Sequence, residues 1–147
     1  MLQTFRHQSL ALRYYDSGGN GPVLIFQHGL TGDHGQTTST FVAQGYRLIT
    51  LECRGHGESE LGEPQALSIG TFAEDLLALM DALHIERAAL AGISMGAAIT
   101  AHIASTRPHR VSSLTLVRPA WPHQRSPTNM NVYNVLADYL ALYGADE

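Results

Sequence analysis

The chain has 147 residues, a length typical of a single domain with one hydrophobic core. Its hydrophobic share of 44% and charged share of 15% are those of a globular chain and exclude a disordered one. Its net charge of −4 and lack of a Lys/Arg cluster offer no basic surface, so we predict neither nucleic acid nor a membrane as a partner.

The first elements along the chain are short strands. Residues 3–7 and 10–15 are predicted to form two strands joined by a tight turn, because apolar residues alternate in the second of them. A dense turn signal follows at 18–22, GGNGP. Residues 23–27, VLIFQ, form a nearly continuous apolar run of strand length, which is typical of a strand buried on both faces.

Helices and strands then alternate. The predicted elements are the end of a helix at 41–44, a strand at 46–51, a helix opened by a capping box of Thr71 and Glu74, a strand at 88–93, a helix at 95–106 stopped by Pro108, and a strand at 111–117. Such alternation favours right-handed βαβ units. The sequence therefore predicts an α/β fold with a mainly parallel sheet and helices on both faces.

The sequence changes character after residue 118. A polar stretch with two prolines leads to an amphipathic helix, capped at Gly144, whose apolar positions are Val132, Leu136, Tyr139, Leu140 and Tyr143. We therefore divide the chain into a core at 1–118 and a separate region at 119–147.

A serine lies between two glycines in the middle of the chain. Residues 92–96, GISMG, match G-x-S-x-G and lie between a predicted strand and a predicted helix. Small residues at Gly92 and Gly96 let the strand and helix pass closely, and the helix N-terminus favours negative charge at Ser94. We predict that Ser94 is a nucleophile in a strained turn; the alternative is an ordinary loop of Gly and Ser.

Two other loops follow predicted strands. His28-Gly29-Leu30 follows the strand at 23–27, and a backbone N–H there can join that of Met95 to bind an oxyanion. We assign this role to the N–H of Leu30 and a structural role to the side chain of His28. Residues 52–59, ECRGHGES, predict a tight loop in which Arg54 and His56 are anchors rather than catalysts.

In this order and spacing, these motifs resemble the α/β-hydrolase fold superfamily over residues 2–118. The matching motifs are the H-G-x turn, the D-x-R-G-x-G-x-S loop, the G-x-S-x-G turn and Pro-x-Arg-Val at 108–111. Glu52 stands where the family usually has Asp, which keeps the charge and the loop. His84 stands where the family often has Gly, so we predict a left-handed backbone at that residue.

The resemblance implies a serine hydrolase acting on a small ester, thioester, lactone or activated carbon–carbon bond. Ser94 is its implied nucleophile, the Leu30 and Met95 N–H groups its oxyanion hole, and Gly92 and Gly96 the glycines of its nucleophile elbow. It implies a small-molecule substrate, no cofactor and no metal. The single cysteine and the lack of a signal-like or membrane-spanning segment favour a cytoplasmic location.

The base and the acid of a catalytic triad are missing from this chain. In the resembling family both follow the serine after later strands, and here the sequence ends at Glu147. His102 lies too far along its helix and His109 belongs to the opposite edge of the sheet. His123 is the remaining local candidate for the base, and a less favoured one; residues 118–120, RPA, offer no carboxylate.

We therefore expect the N-terminal portion of a hydrolase about twice this length, an α/β-hydrolase fold lacking its C-terminal strands, with 119–147 as the start of a lid. The strand at 111–117 then becomes an exposed apolar edge through which copies can self-associate. The alternatives are a non-catalytic binding module of the same fold and an inactive fragment.

Overall fold

The computed structural model describes residues 1–42, 44–119, 135, 137–138 and 141–142. Its strands and α-helices, in chain order, are β1 Leu2–His7, β2 Leu10–Asp16, β3 Val23–Gln27, α1 His34–Thr40, β4 Arg47–Leu51, α2 Ile69–Ala82, β5 Ala88–Ile93, α3 Met95–Thr106 and β6 Val111–Val117. The lid assigned to 119–147 and the apolar positions of the predicted tail helix, Val132, Leu136, Tyr139, Leu140 and Tyr143, lie outside the described residues, except for residue 119 and the helical positions 135, 137–138 and 141–142.

The strands form a single mixed sheet in the order β1-β2-β4-β3-β5-β6. β1 and β2 are an antiparallel hairpin, and β2 pairs antiparallel with β4. β4, β3, β5 and β6 are all parallel to their neighbours. After β3 the chain adds β4 on one side of β3 and then β5 on the other side. The strand order therefore reverses between β3 and β5, and open α/β sheets bind ligands at the carboxyl ends of strands at such a reversal. The predicted mainly parallel sheet is confirmed.

Helices cover both faces of this sheet. One face packs against α2 and α3 in the larger core cluster, whose fully buried members include Ile25, Ile49, Leu76, Leu90, Ile99 and Ile103. The opposite face carries a smaller cluster of Leu24, Phe26, Leu48 and Ala91, beside α1. Each fully buried Leu or Ile side chain contributes roughly 1.5–3 kcal/mol, so the larger cluster dominates the stability of the fold.

Helix α1 ends earlier than the sequence predicts. The expected helical end at 41–44 is wrong, because Phe41 is already extended, with φ of −135°. The ring of Phe41 instead packs edge-on against Phe26 at 6.2 Å between centroids, which ties the end of α1 to the smaller cluster. A tertiary contact therefore decides where this helix stops.

Helix α2 begins earlier than the sequence predicts. Ser68 is its N-cap, with an extended backbone and a side-chain oxygen that accepts from the N–H of Thr71 at 3.0 Å. The predicted capping box of Thr71 and Glu74 is wrong, because Thr71 is already the third helical residue. Glu74 lies one turn into the helix, 3.8 Å from Arg107 of the neighbouring helix end.

Strand β6 is the outer strand of the sheet, as predicted. It pairs with β5 on one side, and no other described strand pairs with its outer edge. Leu114 and Leu116 project from it with 38% and 41% of their surface exposed. An uncharged, apolar strand edge is therefore open to solvent within the described part of the chain.

The end of α2 confirms the predicted left-handed backbone at His84, where φ is 55°. The N–H of His84 donates to Asp81 O at 3.0 Å, and the N–H of Ile85 donates to Met80 O at 2.8 Å. These two bonds form a Schellman motif, which satisfies carbonyls that the last helical turn leaves free. Ile85 and Met80 also meet in the larger core cluster, so the turn directs the chain back into the core.

We expect His84→Gly to raise the free energy of unfolding by about 0.5–1 kcal/mol relative to His84→Ala. Both changes remove the imidazole, but only glycine lacks the Cβ that makes a left-handed backbone costly. Urea unfolding of the two variants measures this difference. Equal stability of the two would show that the turn carries no backbone strain.

Candidate active site

Ser94 lies at the junction of β5 and α3, at the carboxyl edge of the sheet. Its backbone has φ of 52° and ψ of −108°, in the region that residues with a side chain rarely adopt. The predicted strained strand-to-helix turn is therefore confirmed. The neighbouring parallel strand β6 holds this backbone, because the N–H of Ser94 donates to Val117 O at 3.0 Å.

The two glycines of this turn stand where a side chain cannot fit. A Cβ on Gly92 would overlap the carbonyl of Gly96, and a Cβ on Gly96 would overlap the carbonyls of Gln27 and His28 at the end of β3. The start of α3 thus lies directly on β3 and β5. This close crossing agrees with the prediction that small residues at Gly92 and Gly96 let the strand and the helix pass closely.

The hydroxyl of Ser94 is free within the described part of the structure. It makes no capping bond to α3, and no described side chain or carbonyl bonds its Oγ. The residue is partly exposed at the N-terminus of a 12-residue helix. A helix N-terminus favours negative charge, so the position suits an oxygen that becomes anionic during a reaction.

The turn at 29–32 lies against Ser94. Its N–H of Gly32 donates to Gly29 O at 3.0 Å, which closes a β-turn with Leu30 and Thr31 at its corners. A Cβ built on Gly29 would lie 3.5 Å from Cβ of Ser94, so the turn begins close to the serine. The N–H of Leu30, like that of Met95, donates to no other described residue.

His28 has a structural role, as interpreted from the sequence. It is fully buried; its Nδ1 donates to Gly29 O at 2.8 Å, and its Nε2 accepts from the N–H of Cys53 at 3.0 Å. Both ring nitrogens are therefore engaged by backbone in the neutral tautomer with the proton on Nδ1. Burial lowers the pKa of His28 to about 4, which keeps the ring neutral.

The loop at 52–59 is anchored as predicted. Arg54 forms two bonds of 2.7 Å each to the buried carboxylate of Asp75 in α2, which raises the pKa of Arg54 further. His56 bonds the carbonyl of Arg54 through Nδ1 at 3.0 Å. Glu52 is buried and accepts from the N–H of Glu58 at 2.8 Å, so the carboxylate closes the loop. Each of these side chains is therefore engaged within the loop or with α2.

The described residues do not supply a base for Ser94. His102 lies on α3 well past the serine, and His109 lies in the short turn Pro108–Arg110 that leads into the start of β6. His123 lies outside the described residues. No described histidine or carboxylate bonds Ser94 Oγ, and no group of three or more metal-ligating side chains is found in the described ranges.

Sequence reasoning missed two side chains beside the site. Oε1 of Gln36 accepts from the N–H of Gly29 at 2.7 Å, and Nδ1 of His34 bonds Oε1 of Glu52 at 2.6 Å. The spacing Asp33-x-x-Gln36 is that of a capping box and indicates the start of α1, but it does not point to Gly29 as the partner of Gln36. No signal in the sequence pointed to the pairing of His34 with Glu52.

A family model described as alpha/beta hydrolase fold matches residues 22–143. The chain belongs to the α/β-hydrolase fold family. The match spans most of the chain and includes both the 29–32 turn and the turn at 92–96. The fold and the family read from the sequence motifs are confirmed by this match.

Named relatives and a solved structure agree with this family. The chain is 38% identical over 112 residues to the dihydrolipoyllysine-residue acetyltransferase component of the acetoin cleaving system of Pseudomonas putida, covering 74% of this chain and 30% of that protein. It is 35% identical over 103 residues to 3-oxoadipate enol-lactonase 1 of Acinetobacter baylyi, covering 69% of this chain and 38% of that protein. The enol-lactonase structure of Burkholderia xenovorans LB400 superposes with a TM-score of 0.79 at 26% identity, covering 97% of this chain and 55% of that one.

The chain spans well under half the length of these two curated relatives and about half that of the solved enol-lactonase. Within the described residues, no helix is long and apolar enough to cross a membrane.

We expect His28 to make folding sensitive to mild acid. Its folded pKa of about 4 lies below the ordinary 6.5, so the unfolded chain binds the extra proton as the pH falls. The free energy of unfolding should therefore decrease between pH 6.5 and pH 4, by about 3 kcal/mol from this residue. Urea unfolding across this range measures the loss, and NMR of the ring shows its charge. A His28 ring that titrates near pH 6.5 in the folded protein would contradict the assignment.

Proposed function

We propose that the protein is a serine hydrolase of the α/β-hydrolase fold, with Ser94 as its nucleophile. The observation that carries the proposal is the left-handed backbone of Ser94 between β5 and α3, with its hydroxyl unbonded by any described residue. A strained turn that presents an unbonded hydroxyl at a helix N-terminus is the arrangement that a serine nucleophile needs, and it supports this role.

In the proposed mechanism, Oγ of Ser94 attacks a carbonyl carbon of the substrate. The N–H groups of Leu30 and Met95 stabilise the oxyanion that forms, and the α3 N-terminus adds a favourable field. Gly92 and Gly96 form the nucleophile elbow that permits this approach. The unengaged N–H groups and the closeness of Gly29 in the 29–32 turn to Ser94 support this arrangement.

The general base and its acid partner are proposed to come from sequence beyond these 147 residues. Without a base the hydroxyl stays protonated and is a weak nucleophile at neutral pH. The short coverage of the longer relatives supports this source for both groups. The substrate is proposed to be a small ester, thioester, lactone or activated carbon–carbon compound, and the similarity to an enol-lactonase favours the lactone.

A second candidate is a non-catalytic binding module of the same fold. It is favoured by one observation, the lack of any described base beside Ser94. An inactive fragment is the third possibility. The cytoplasm is our proposed location, on the ground that Cys53 is free and buried, as suits a reducing compartment.

In the full-length protein, we expect a fluorophosphonate probe to label Ser94 covalently and Ser94→Ala to abolish both labelling and hydrolysis of p-nitrophenyl esters. The chain of 147 residues alone should turn over these esters no faster than its own Ser94→Ala variant, because the base is proposed to come from sequence outside it. Ser105→Ala, an exposed serine on α3, is the matched control and should have no effect.

Two outcomes would contradict these expectations. A full-length protein that folds but is never labelled at Ser94 would favour the binding module. Ser94-dependent turnover by a monodisperse monomer of the short chain would return His123 to consideration as the base.

We further propose that the short chain self-associates through β6. The strand carries no charge and no proline, and Leu114 and Leu116 are exposed on it. Edge strands of this kind pair readily with other strands, because their outer N–H and C=O groups have no partners.

We expect Leu114→Lys to lower this association, since a charge on an edge strand disfavours pairing. Leu67→Lys is the matched control, because Leu67 is also 38% exposed but lies away from the edge. Analytical ultracentrifugation of the three chains over a concentration series measures the effect. A parent chain that stays monomeric throughout would refute the proposed contact.

A further inference from the structure

The side chain of Gln36 occupies the inside of the 29–32 turn, although it belongs to α1. Its Oε1 accepts from the N–H of Gly29 at 2.7 Å. The same oxygen would lie 2.7 Å from a Cβ on Gly32, so it is also close to the other end of the turn. One amide oxygen therefore anchors the first residue of the turn and lies close to the last.

This turn needs holding because its second corner is strained. Thr31 has φ of 67°, a left-handed conformation that a β-branched residue adopts only at a cost. Turns with positive φ at this corner normally carry glycine or asparagine there. A strained backbone conformation persists only when the surrounding structure restrains it. The hydrogen bond from the Gly29 N–H to Gln36 is such a restraint, two residues before Thr31.

The turn also decides where the N–H of Leu30 points. Leu30 is the first corner, and in a turn closed between Gly29 and Gly32 the N–H of that corner takes no part in the closing bond. Gly29 in turn lies close to Ser94. The bond to Gln36 therefore fixes the position of the Leu30 N–H relative to the serine.

Gln36 has no competing task in its own helix. It is the third residue after the N-cap Asp33, whose side chain accepts from the N–H of Gly35. At this position a Gln side chain commonly returns to the N–H of the cap residue. Here it reaches out of the helix to Gly29 instead, so the cap of α1 and the turn beside Ser94 become one rigid unit.

We propose that Gln36 is a positioning residue of the active site, which holds the strained 29–32 turn so that the Leu30 N–H faces the oxygen formed on attack by Ser94. This inference rests on the function proposed above for Ser94 and Leu30. It adds that the first turn of α1 controls the geometry of the oxyanion donor.

The test compares Gln36→Met, which keeps the length of the side chain but removes its acceptor, with Gln36→Glu, which keeps an acceptor oxygen. Ser39→Ala, an exposed change on the same helix, is the matched control. The first readout is amide hydrogen exchange and the NMR shift of the Gly29 N–H. The second is the rate of Ser94 labelling by a fluorophosphonate in the full-length protein, resolved into binding of the probe and the covalent step.

Gln36→Met should remove the exchange protection of Gly29 and slow the covalent step by about tenfold or more, with little change in probe binding. Gln36→Glu should keep the protection and move the Gly29 proton downfield, because a charged acceptor makes a stronger bond. Ser39→Ala should change neither readout.

An unprotected Gly29 N–H in the parent chain would overturn the proposal. So would a Gln36→Met protein with an unchanged covalent step. If Gln36→Met does not fold, the test is the NMR shift of the Gly29 proton in Gln36→Glu. A Gly29 proton that does not move downfield in that variant would overturn the proposal. A parent protein whose Gly29 is protected but whose Ser94 is never labelled would instead refute the proposed function.

Discussion

The close crossing of α3 over the ends of β3 and β5 is the constraint on which the site depends. The helix begins against the carbonyls of Gln27 and His28, at a distance that leaves no room for a Cβ on Gly96. Because the strand and helix meet so closely, the residue between them must turn within a single position. Ser94 takes that position with a left-handed backbone, and the residue is partly exposed.

The carboxyl edge of the sheet is held by buried polar groups rather than by apolar contacts. Gln27 is fully buried and donates through Nε2 to Leu51 O at 2.6 Å, while His28 bonds the N–H of Cys53. Loop backbone that enters an interior needs such partners, because an unpaired buried polar group costs about 1–3 kcal/mol. These bonds fix the ends of β3 and β4 relative to each other. They therefore also fix the residues against which the start of α3, next to Ser94, packs.

Other polar side chains near the site are buried or paired with one another. Cys53 is fully enclosed, and burial raises the pKa of its thiol, so a thiolate is not available there. Arg54 and Asp75 neutralise each other between the 52–59 loop and α2. Ser94 differs from all of them in having a partly exposed side chain without a described partner. Among these polar residues, Ser94 is therefore the one whose side chain is available to a substrate in the described part of the structure.

The sequence alone determined the family, the alternation of strands and helices, and the serine turn. These features depend on local patterns: apolar runs of strand length, Gly92 and Gly96 around Ser94, and the end of α2 at His84, whose backbone was predicted correctly. The tertiary structure decided the rest. Whether Phe41 continued α1 depended on a contact with Phe26, and the partner of Gln36 lay outside its own helix. Local spacing specifies which conformations a segment prefers, but only packing decides which distant atom a polar side chain meets.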